Sequence, residues 1–420
     1  MERRTLWLFV IIGGGALVLV GCGGGLLVLA FLLASESALT AVETLPLAGV
    51  IGLGLGFGTV LMLHGWAGWR ARPSRPFNPP RVWLMWLAWM LLVGVGAAVS
   101  LLPLTPAVFL PPIHVLTMSL PPLIVLWSAG RALQGAGGSW RDVVTITIGG
   151  GSLGLGFSLV SEVLVGLALA IVLIAATLMT PGGEERVVTL VNNLRDPAWL
   201  ADFANLAELL LTPTIATSVL GLLSVPVPLI EETFKTLVAG VVARWARPRP
   251  ARAFLWGVAS GAGFALVENV FNGALGGAEG WAMGAIARFG AAMMHCATGG
   301  LVGWGWGQLW TERRALRLLG SYVAAVVLHG IWNAATVSAT LLSASALTQR
   351  GGDIWRPIAG LGMLTGVGLL GLLTWTFIFA VPFAGRRLAA EAGQPEDIVV
   401  DLEETSAFDA DARSRLTRQI

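Results

Sequence analysis

Residues 229–237 lie within a long apolar segment and read Leu229-Ile230-Glu231-Glu232-Thr233-Phe234-Lys235-Thr236-Leu237. Lys235 is the only lysine of the chain, and its spacing from the two glutamates puts all three side chains on one helical face. Placing one charged side chain at the centre of a membrane costs about 2.5–3.5 kcal/mol even on lenient insertion scales. A membrane segment with three ionisable groups therefore indicates a site for catalysis or ion movement.

The composition of the whole chain is that of a membrane protein. Hydrophobic residues make up 55% of it and charged residues 12%, whereas soluble domains carry about 25% charged residues. The arginines are scattered among short loops, which gives no support for nucleic-acid binding. Both cysteines lie within apolar runs, so no disulfide framework is implied. The chain is predicted to be an all-α polytopic membrane protein.

The apolar segments predict ten transmembrane helices, because about 20 apolar residues cross the hydrocarbon core as a helix. The predicted spans are 6–34, 45–69, 82–103, 107–129, 143–180, 212–243, 253–278, 281–310, 319–345 and 357–384. The first span is expected to remain as an uncleaved membrane helix. After the cleavage site of a lipoprotein signal the sequence would turn polar, whereas here the apolar run continues. Arginines collect in alternate loops, and this pattern predicts that both termini lie in the cytoplasm.

Two of these spans are too long for one straight helix. Residues 143–180 contain a glycine cluster at 149–156, where a break or kink is expected. Residues 212–243 contain three prolines, which interrupt intrahelical hydrogen bonding. Pro228 suits the first turn of a new helix, and the two glutamates would then fall in its opening turns.

The chain is predicted to have three regions. Residues 1–142 form four membrane helices without a recognised motif, and residues 143–388 form a catalytic membrane domain with its polar motifs between 229 and 335. Within this domain, residues 181–211 are expected to form an outside loop with an amphipathic helix that lies on the membrane. Residues 389–420 are predicted to be a disordered acidic cytoplasmic tail.

Four consecutive spans, the sixth to the ninth, carry polar groups that an apolar helix should avoid. Besides the Glu-Glu-x-x-Lys segment, these groups are Glu268, Asn269, Arg288, His295, His329 and Asn333. A rise of 1.5 Å per residue from the nearest inside arginine places the carboxylates and imidazoles at roughly 18–27 Å from the cytoplasmic edge. A common depth on four helices predicts one shared site within the membrane.

The residue types at this depth favour hydrolysis assisted by a metal. Two histidines and a carboxylate from separate helices suit a catalytic metal site with a position left for water, and further carboxylates can take a proton and pass it on. The predicted metal ligands are Glu268, His295 and His329. The predicted catalytic residues are Glu231, Glu232, Lys235 and Asn333, with Asn269 and Arg288 as supporting residues. Lys235 would hold one of the two adjacent glutamates ionised while the other binds the metal or carries a proton, and the division of these roles between Glu231 and Glu232 stays open. Asn333 would bind an oxyanion.

The same residues are also compatible with two functions besides hydrolysis. The first is a proton-coupled transporter with the glutamates and Lys235 as its relay, although transporters often consist of repeated halves and residues 1–205 contain no second Glu-Glu-x-x-Lys segment. The second is an inactive scaffold derived from a protease. The remaining polar residues of the apolar segments are interpreted as structural: His64, His114 and Glu162.

The ordered set of motifs resembles the PrsW family of intramembrane proteases over about residues 205–345. The set consists of Glu231-Glu232-x-x-Lys235, Phe264-x-x-x-Glu268-Asn269, an isolated His295 and His329-x-x-x-Asn333. The related CAAX endopeptidases and bacteriocin-processing proteins usually carry His at the Glu268 position and Arg at the Lys235 position. Both differences favour PrsW.

The resemblance implies a protease of the bacterial cytoplasmic membrane, commonly classed as a metalloprotease with Zn²⁺ as its metal. Its expected partners are the lipid bilayer and a membrane-anchored protein substrate, such as an anti-sigma factor, cleaved near the extracytoplasmic side. A metal-free mechanism, in which a glutamate and a histidine activate water, also fits these residues.

Overall fold

The computed structural model describes residues 3–34, 41–102, 106–275, 277–278, 280–347 and 355–392. Regular structure in these ranges is helical, which confirms the predicted all-α class. The helices are α1 Arg3–Ala34, α2 Ala41–Trp69, α3 Trp83–Ser100, α4 Pro106–Ala132, α5 Trp140–Gly149, α6 Leu155–Leu178, α7 Gly183–Arg195, α8 Pro197–Ala201, α9 Phe203–Leu210, α10 Pro213–Ser224, α11 Pro226–Lys235, α12 Leu237–Ala246, α13 Pro250–Asn272, α14 Trp281–Trp310, α15 Ala315–Leu347 and α16 Trp355–Ala392.

Nine segments of the described chain are long and apolar enough to cross a membrane, and they correspond to nine of the ten predicted spans. The exception is the predicted eighth span, α14, which has the length but a lower mean hydropathy than the other nine. Most of α14 is buried between other helices. A helix surrounded by protein needs no lipid-compatible surface, so its composition follows from its central position.

The centre of the bundle is the close pair of α13 and α14. Their backbones touch at glycines: a Cβ added at Gly299 would lie 2.6 Å from Gly257 O and 3.1 Å from Gly261 Cα. Small residues permit such an approach, and dispersion contacts then hold helices together in a membrane. Of the 23 residues of α13, 18 are buried. The site-bearing helices therefore form the interior of the protein.

The predicted break in the fifth span is a π-helical turn, Gly150–Gly154, between α5 and α6. Single π-turns inside α-helices often mark functional sites. The glycines bring this turn against the end of α11: a Cβ added at Gly154 would lie 3.0 Å from Phe234 O and 3.3 Å from Lys235 Cα. The cluster therefore allows close contact beside the only lysine.

The sixth span is divided twice, which isolates α11 as a helix of 10 residues. The first break falls at Val225 (φ −126°, ψ −68°), directly before Pro226. Pro228 lies in the first turn of α11 and the glutamates lie in the second, as predicted. A second break at Thr236 (φ −98°, ψ 1°), immediately after Lys235, was not predicted.

The segment 181–211 is helical, in agreement with the prediction of a helix within it, and consists of α7, α8 and α9. Asp196 and Asp202 cap α8 and α9, each accepting a backbone N–H at 2.9 Å. Its position on the membrane surface stays a prediction.

The N-terminal helices differ in how they join the bundle. α1 packs on α2 at the periphery, whereas α4 contributes Val125, Leu126 and Ala129 to the same core as α13 and α14. The boundary at residue 142 stays a prediction. Residues 389–392 continue α16, and the predicted tail beyond them lies outside the described residues.

Candidate functional site

The structure brings six of the predicted site residues into one buried cluster between α11, α13, α14 and α15. The cluster consists of Glu231, Glu232, Lys235, Glu268, His295 and His329. Each helix presents its polar side chain toward the interior of the bundle, where all six side chains are at most 17% exposed. Residues that are distant in the sequence thereby meet in one place.

Glu231 lies between the two histidines. Its Oε2 is 3.8 Å from His295 Nδ1 and 3.7 Å from His329 Nε2. One ligand atom from each of these three residues lies within 4.8 Å of the others, and all three residues are buried. In the described part of the chain, Glu231 Oε2 has no hydrogen-bond partner. Because a buried carboxylate oxygen is costly to leave unpaired, this atom indicates a place for water or a cation.

A carboxylate stands behind each imidazole. His329 Nδ1 lies 2.8 Å from Glu232 Oε1, and His295 Nε2 lies 2.6 Å from Glu268 Oε2. Each ring thus turns one nitrogen toward Glu231 and the other toward a carboxylate. Metal-binding histidines commonly have this arrangement, since the outer carboxylate fixes the ring and raises its basicity.

Glu232 and Lys235 form a fully buried ion pair within α11. Glu232 Oε1 accepts hydrogen bonds from Lys235 Nζ at 2.5 Å and from Thr298 Oγ1 at 3.0 Å. The ammonium also donates to Thr298 Oγ1 at 3.0 Å and lies 3.2 Å from His295 Nδ1. Glu232 Oε2 has no hydrogen-bond partner among the described residues. One oxygen of Glu232 is therefore held firmly while the other is available.

Glu268 is held by the predicted supporting residues. Arg288 Nη2 lies 3.0 Å from Glu268 Oε1, and Asn272 Nδ2 donates to the same oxygen at 2.9 Å. Arg288 Nε donates to Asn269 Oδ1 at 2.8 Å, and Asn269 Nδ2 donates to Met118 O at 3.3 Å. Arg288 and Asn269 therefore act on the site through Glu268.

Asn333 is engaged away from this cluster. Its Nδ2 donates to Leu223 O at 2.9 Å, in the last turn of α10, where the break before Pro226 interrupts the helical hydrogen bonds. The Asn333 amide therefore binds the backbone at the break between α10 and α11, whereas the sequence predicted that it would bind an oxyanion at the cluster.

Besides Asn272, two residues that were not singled out from the sequence contact the site. Thr298 bridges Lys235 and Glu232, and Ser260 Oγ donates to Lys235 O at the second break of the sixth span. Hydroxyl residues are common in membrane helices, where they usually bond to their own backbone, so the sequence did not distinguish them. Thr298 follows His295 by three positions on one helical face, which is the only signal that would have indicated it.

His114 has the structural role predicted for it. Its Nε2 lies 2.7 Å from Val270 O, and its Nδ1 accepts a hydrogen bond from Trp281 Nε1 at 3.0 Å. Both ring nitrogens are thereby satisfied, and the ring ties α4 to the last turn of α13 and the first residue of α14.

Membrane-length helices around a buried set of carboxylates and imidazoles define an integral membrane protein with the residue types of a hydrolytic site. Residues 165–350 match the family model described as PrsW family intramembrane metalloprotease. The predicted resemblance is thereby confirmed, and this region, which includes α7 to α15, is an intramembrane endopeptidase of the PrsW family. No curated protein and no solved structure matches the chain.

Proposed function

We propose that this enzyme hydrolyses a peptide bond of a membrane-anchored protein at a Zn²⁺ ion held by Glu231, His295 and His329. The observation that carries the proposal is the position of Glu231 Oε2, nearly equidistant from a nitrogen of each histidine at 3.8 and 3.7 Å. These separations are close to the roughly 3.4 Å between ligand atoms that tetrahedral zinc requires at its usual bond lengths.

The donor set supports the same assignment. Two imidazole nitrogens and one carboxylate oxygen are common ligands of catalytic zinc, with one position left open. Glu268, predicted from the sequence as a ligand, is here assigned the outer position behind His295, and Glu231 takes the inner one. The reason is geometric, since Glu268 approaches the ring nitrogen opposite the one that faces Glu231.

Lys235 faces the same nitrogen of His295 to which the metal ion would bind. The ammonium lies 3.2 Å from His295 Nδ1, so a cation and this ammonium compete for one lone pair. Lys235 has two other strong acceptors, Glu232 Oε1 and Thr298 Oγ1, and can keep both when the imidazole is taken. The lysine therefore opposes metal binding without preventing it.

Glu232 is the proposed proton acceptor. A bound Zn²⁺ supplies Lewis acidity, which polarises a carbonyl group and makes water a stronger nucleophile. Lys235 and Thr298 hold Glu232 Oε1 and favour its ionised form, while Glu232 Oε2 has no partner in the described chain. This oxygen accepts a proton from water and passes it to the leaving amine.

The substrate is proposed to be a membrane-anchored regulator of the anti-sigma-factor kind, cleaved near the extracytoplasmic side of a bacterial cytoplasmic membrane. The depth of the cluster supports this side, because the motifs lie roughly 18–27 Å from the arginine-rich edge. The arginine distribution supports the proposed orientation with both termini in the cytoplasm.

The test uses the full chain in proteoliposomes with a single-span model substrate. Glu231→Ala, Glu268→Ala and His329→Ala should each lower the rate of cleavage by at least about a hundredfold. This is the low end of the effect expected from losing a positioned acid–base group. Glu185→Gln, on the exposed α7, should cleave like the wild type. Full activity of all three site variants would refute the proposal, and proton-coupled flux without cleavage would favour a transporter.

A further inference from the structure

The catalytic helix α11 has little to fix its own position. It is 10 residues long and is interrupted at both ends, at Val225 and Thr236. Isolated helices shorter than about 12–15 residues are marginal in water even for favourable sequences. The position of α11 therefore depends on contacts with neighbouring helices. The positions of both glutamates depend on the same contacts.

One face of α15 contacts this broken segment at three points. Tyr322, His329 and Asn333 have the spacing i, i+7, i+11, which places them on one side of a helix. Asn333 Nδ2 donates to Leu223 O at 2.9 Å, Tyr322 OH donates to Leu229 O at 2.9 Å, and His329 Nδ1 lies 2.8 Å from Glu232 Oε1. Two of the three contacts are made to backbone carbonyls, so they fix the segment itself.

A second hydroxyl lies beside the Tyr322 contact. Thr233 Oγ1 is 2.8 Å from Tyr322 OH and 2.7 Å from Leu229 O, and its single hydrogen is donated to one of these two oxygens. Tyr322 is the only tyrosine of the chain. Leu229 precedes Glu231 by two residues, so a shift or rotation of α11 at this carbonyl is passed directly to the glutamates.

We propose that Tyr322 is a positioning residue for peptide hydrolysis. Its hydroxyl fixes the register of α11 on α15 and thereby sets the distances from Glu231 and Glu232 to His329. Tyr322 touches none of the proposed reacting atoms and acts through the backbone of α11. The inference rests on the function proposed above for this cluster.

The test compares Tyr322→Phe, which removes only the hydroxyl, with the wild type. Thr340→Val is the matched control, because the Thr340 hydroxyl bonds only within α15, to Thr336 O. Two measurements are made on each full-length protein: the kcat and KM of cleavage of a single-span model substrate, and hydrogen exchange of the α11 backbone without substrate.

Tyr322→Phe should lower kcat about tenfold, with KM within about twofold of wild type, because misplacement of catalytic groups reduces turnover more than binding. Backbone amides of residues 229–235 should exchange faster, while those of α13 and α14 stay unchanged. Thr340→Val should match the wild type in both measurements. Thr233→Ser, which keeps a hydroxyl, should do the same.

A wild-type kcat for Tyr322→Phe would overturn the proposal, as would unchanged exchange of the α11 amides. Faster exchange throughout the bundle would also overturn it, since it indicates a general loss of stability. If the wild type cleaves nothing, the proposed function fails, but hydrogen exchange still decides whether Tyr322 positions α11. The two failures are therefore distinguishable.

Discussion

Lys235 Nζ lies 2.5 Å from Glu232 Oε1, and neither side chain is exposed. Removing one partner of a buried ion pair leaves an uncompensated charge and is strongly destabilising, whereas removing both is often tolerated. Burying this pair therefore costs folding free energy, and the pair also holds Glu232 in place beside the two histidines. This relationship explains how the only lysine of the chain is accommodated in the buried cluster.

We expect Lys235→Met to lower the free energy of unfolding by about 3–5 kcal/mol, because Glu232 loses its counter-charge. The double variant Lys235→Met/Glu232→Gln should recover a large part of this stability while remaining inactive. Thermal unfolding of the single and double variants in one detergent measures the difference. A double variant no more stable than Lys235→Met would contradict the interpretation of the pair.

Metal analysis of the purified protein should find Zn²⁺ in the wild type and little in His295→Ala or His329→Ala. Loss of one of three protein ligands leaves an incomplete coordination shell, which binds zinc weakly. His64→Gln, in α2 outside the cluster, is the control and should retain the metal. Equal metal content in all four proteins would exclude the proposed ligands, and cleavage without any bound metal would support hydrolysis by glutamate and histidine alone.

Arg288→Met should weaken metal binding by about 10–100-fold, the usual effect of removing an outer partner of a metal ligand. The arginine holds Glu268 Oε1 at 3.0 Å, and Glu268 in turn lies 2.6 Å from His295 Nε2. Competition with a chelator of known affinity measures the effect. Arg186→Met, on the exposed α7, should bind metal as the wild type does. An unchanged affinity in Arg288→Met would show that Glu268 positions His295 without the arginine.

Cysteine labelling in intact cells should test the predicted orientation. In a background with both native cysteines replaced by serine, Asn192→Cys should react with a membrane-impermeant maleimide, and Asn78→Cys should react only after lysis. Both positions are exposed. The expected difference follows from the excess of arginine in the loop that contains Asn78. The reverse labelling pattern would invert the proposed topology and place cleavage on the other side.

The sequence predicted the elements of this fold well where the signal was local. Apolar runs of sufficient length marked the spans, the glycine cluster at 149–156 marked the π-turn, and Pro228 marked the start of a new helix. The break at Thr236 had no such marker. It lies where Ser260, from a distant part of the chain, takes over the carbonyl of Lys235, and no local rule indicates that contact.

The candidate site was predictable as a set of residues but not as a set of roles. Polar side chains at one depth indicated that Glu231, Glu268 and the two histidines would meet. No sequence pattern indicated that Glu231 lies between the imidazoles and Glu268 behind one of them. Nor did any pattern indicate that Asn333 and Tyr322 hold backbone carbonyls of the broken sixth span.

The sequence by itself determined the class of protein, the helical spans and the residues that lie at the depth of the site. These follow from transfer free energies and backbone preferences, which each residue carries with it. Only the tertiary structure decided which nitrogen of each imidazole faces Glu231, which carboxylates stand outside, and how α11 is held. Those distances depend on the rotation and offset of four separate helices, which packing across the whole bundle sets together.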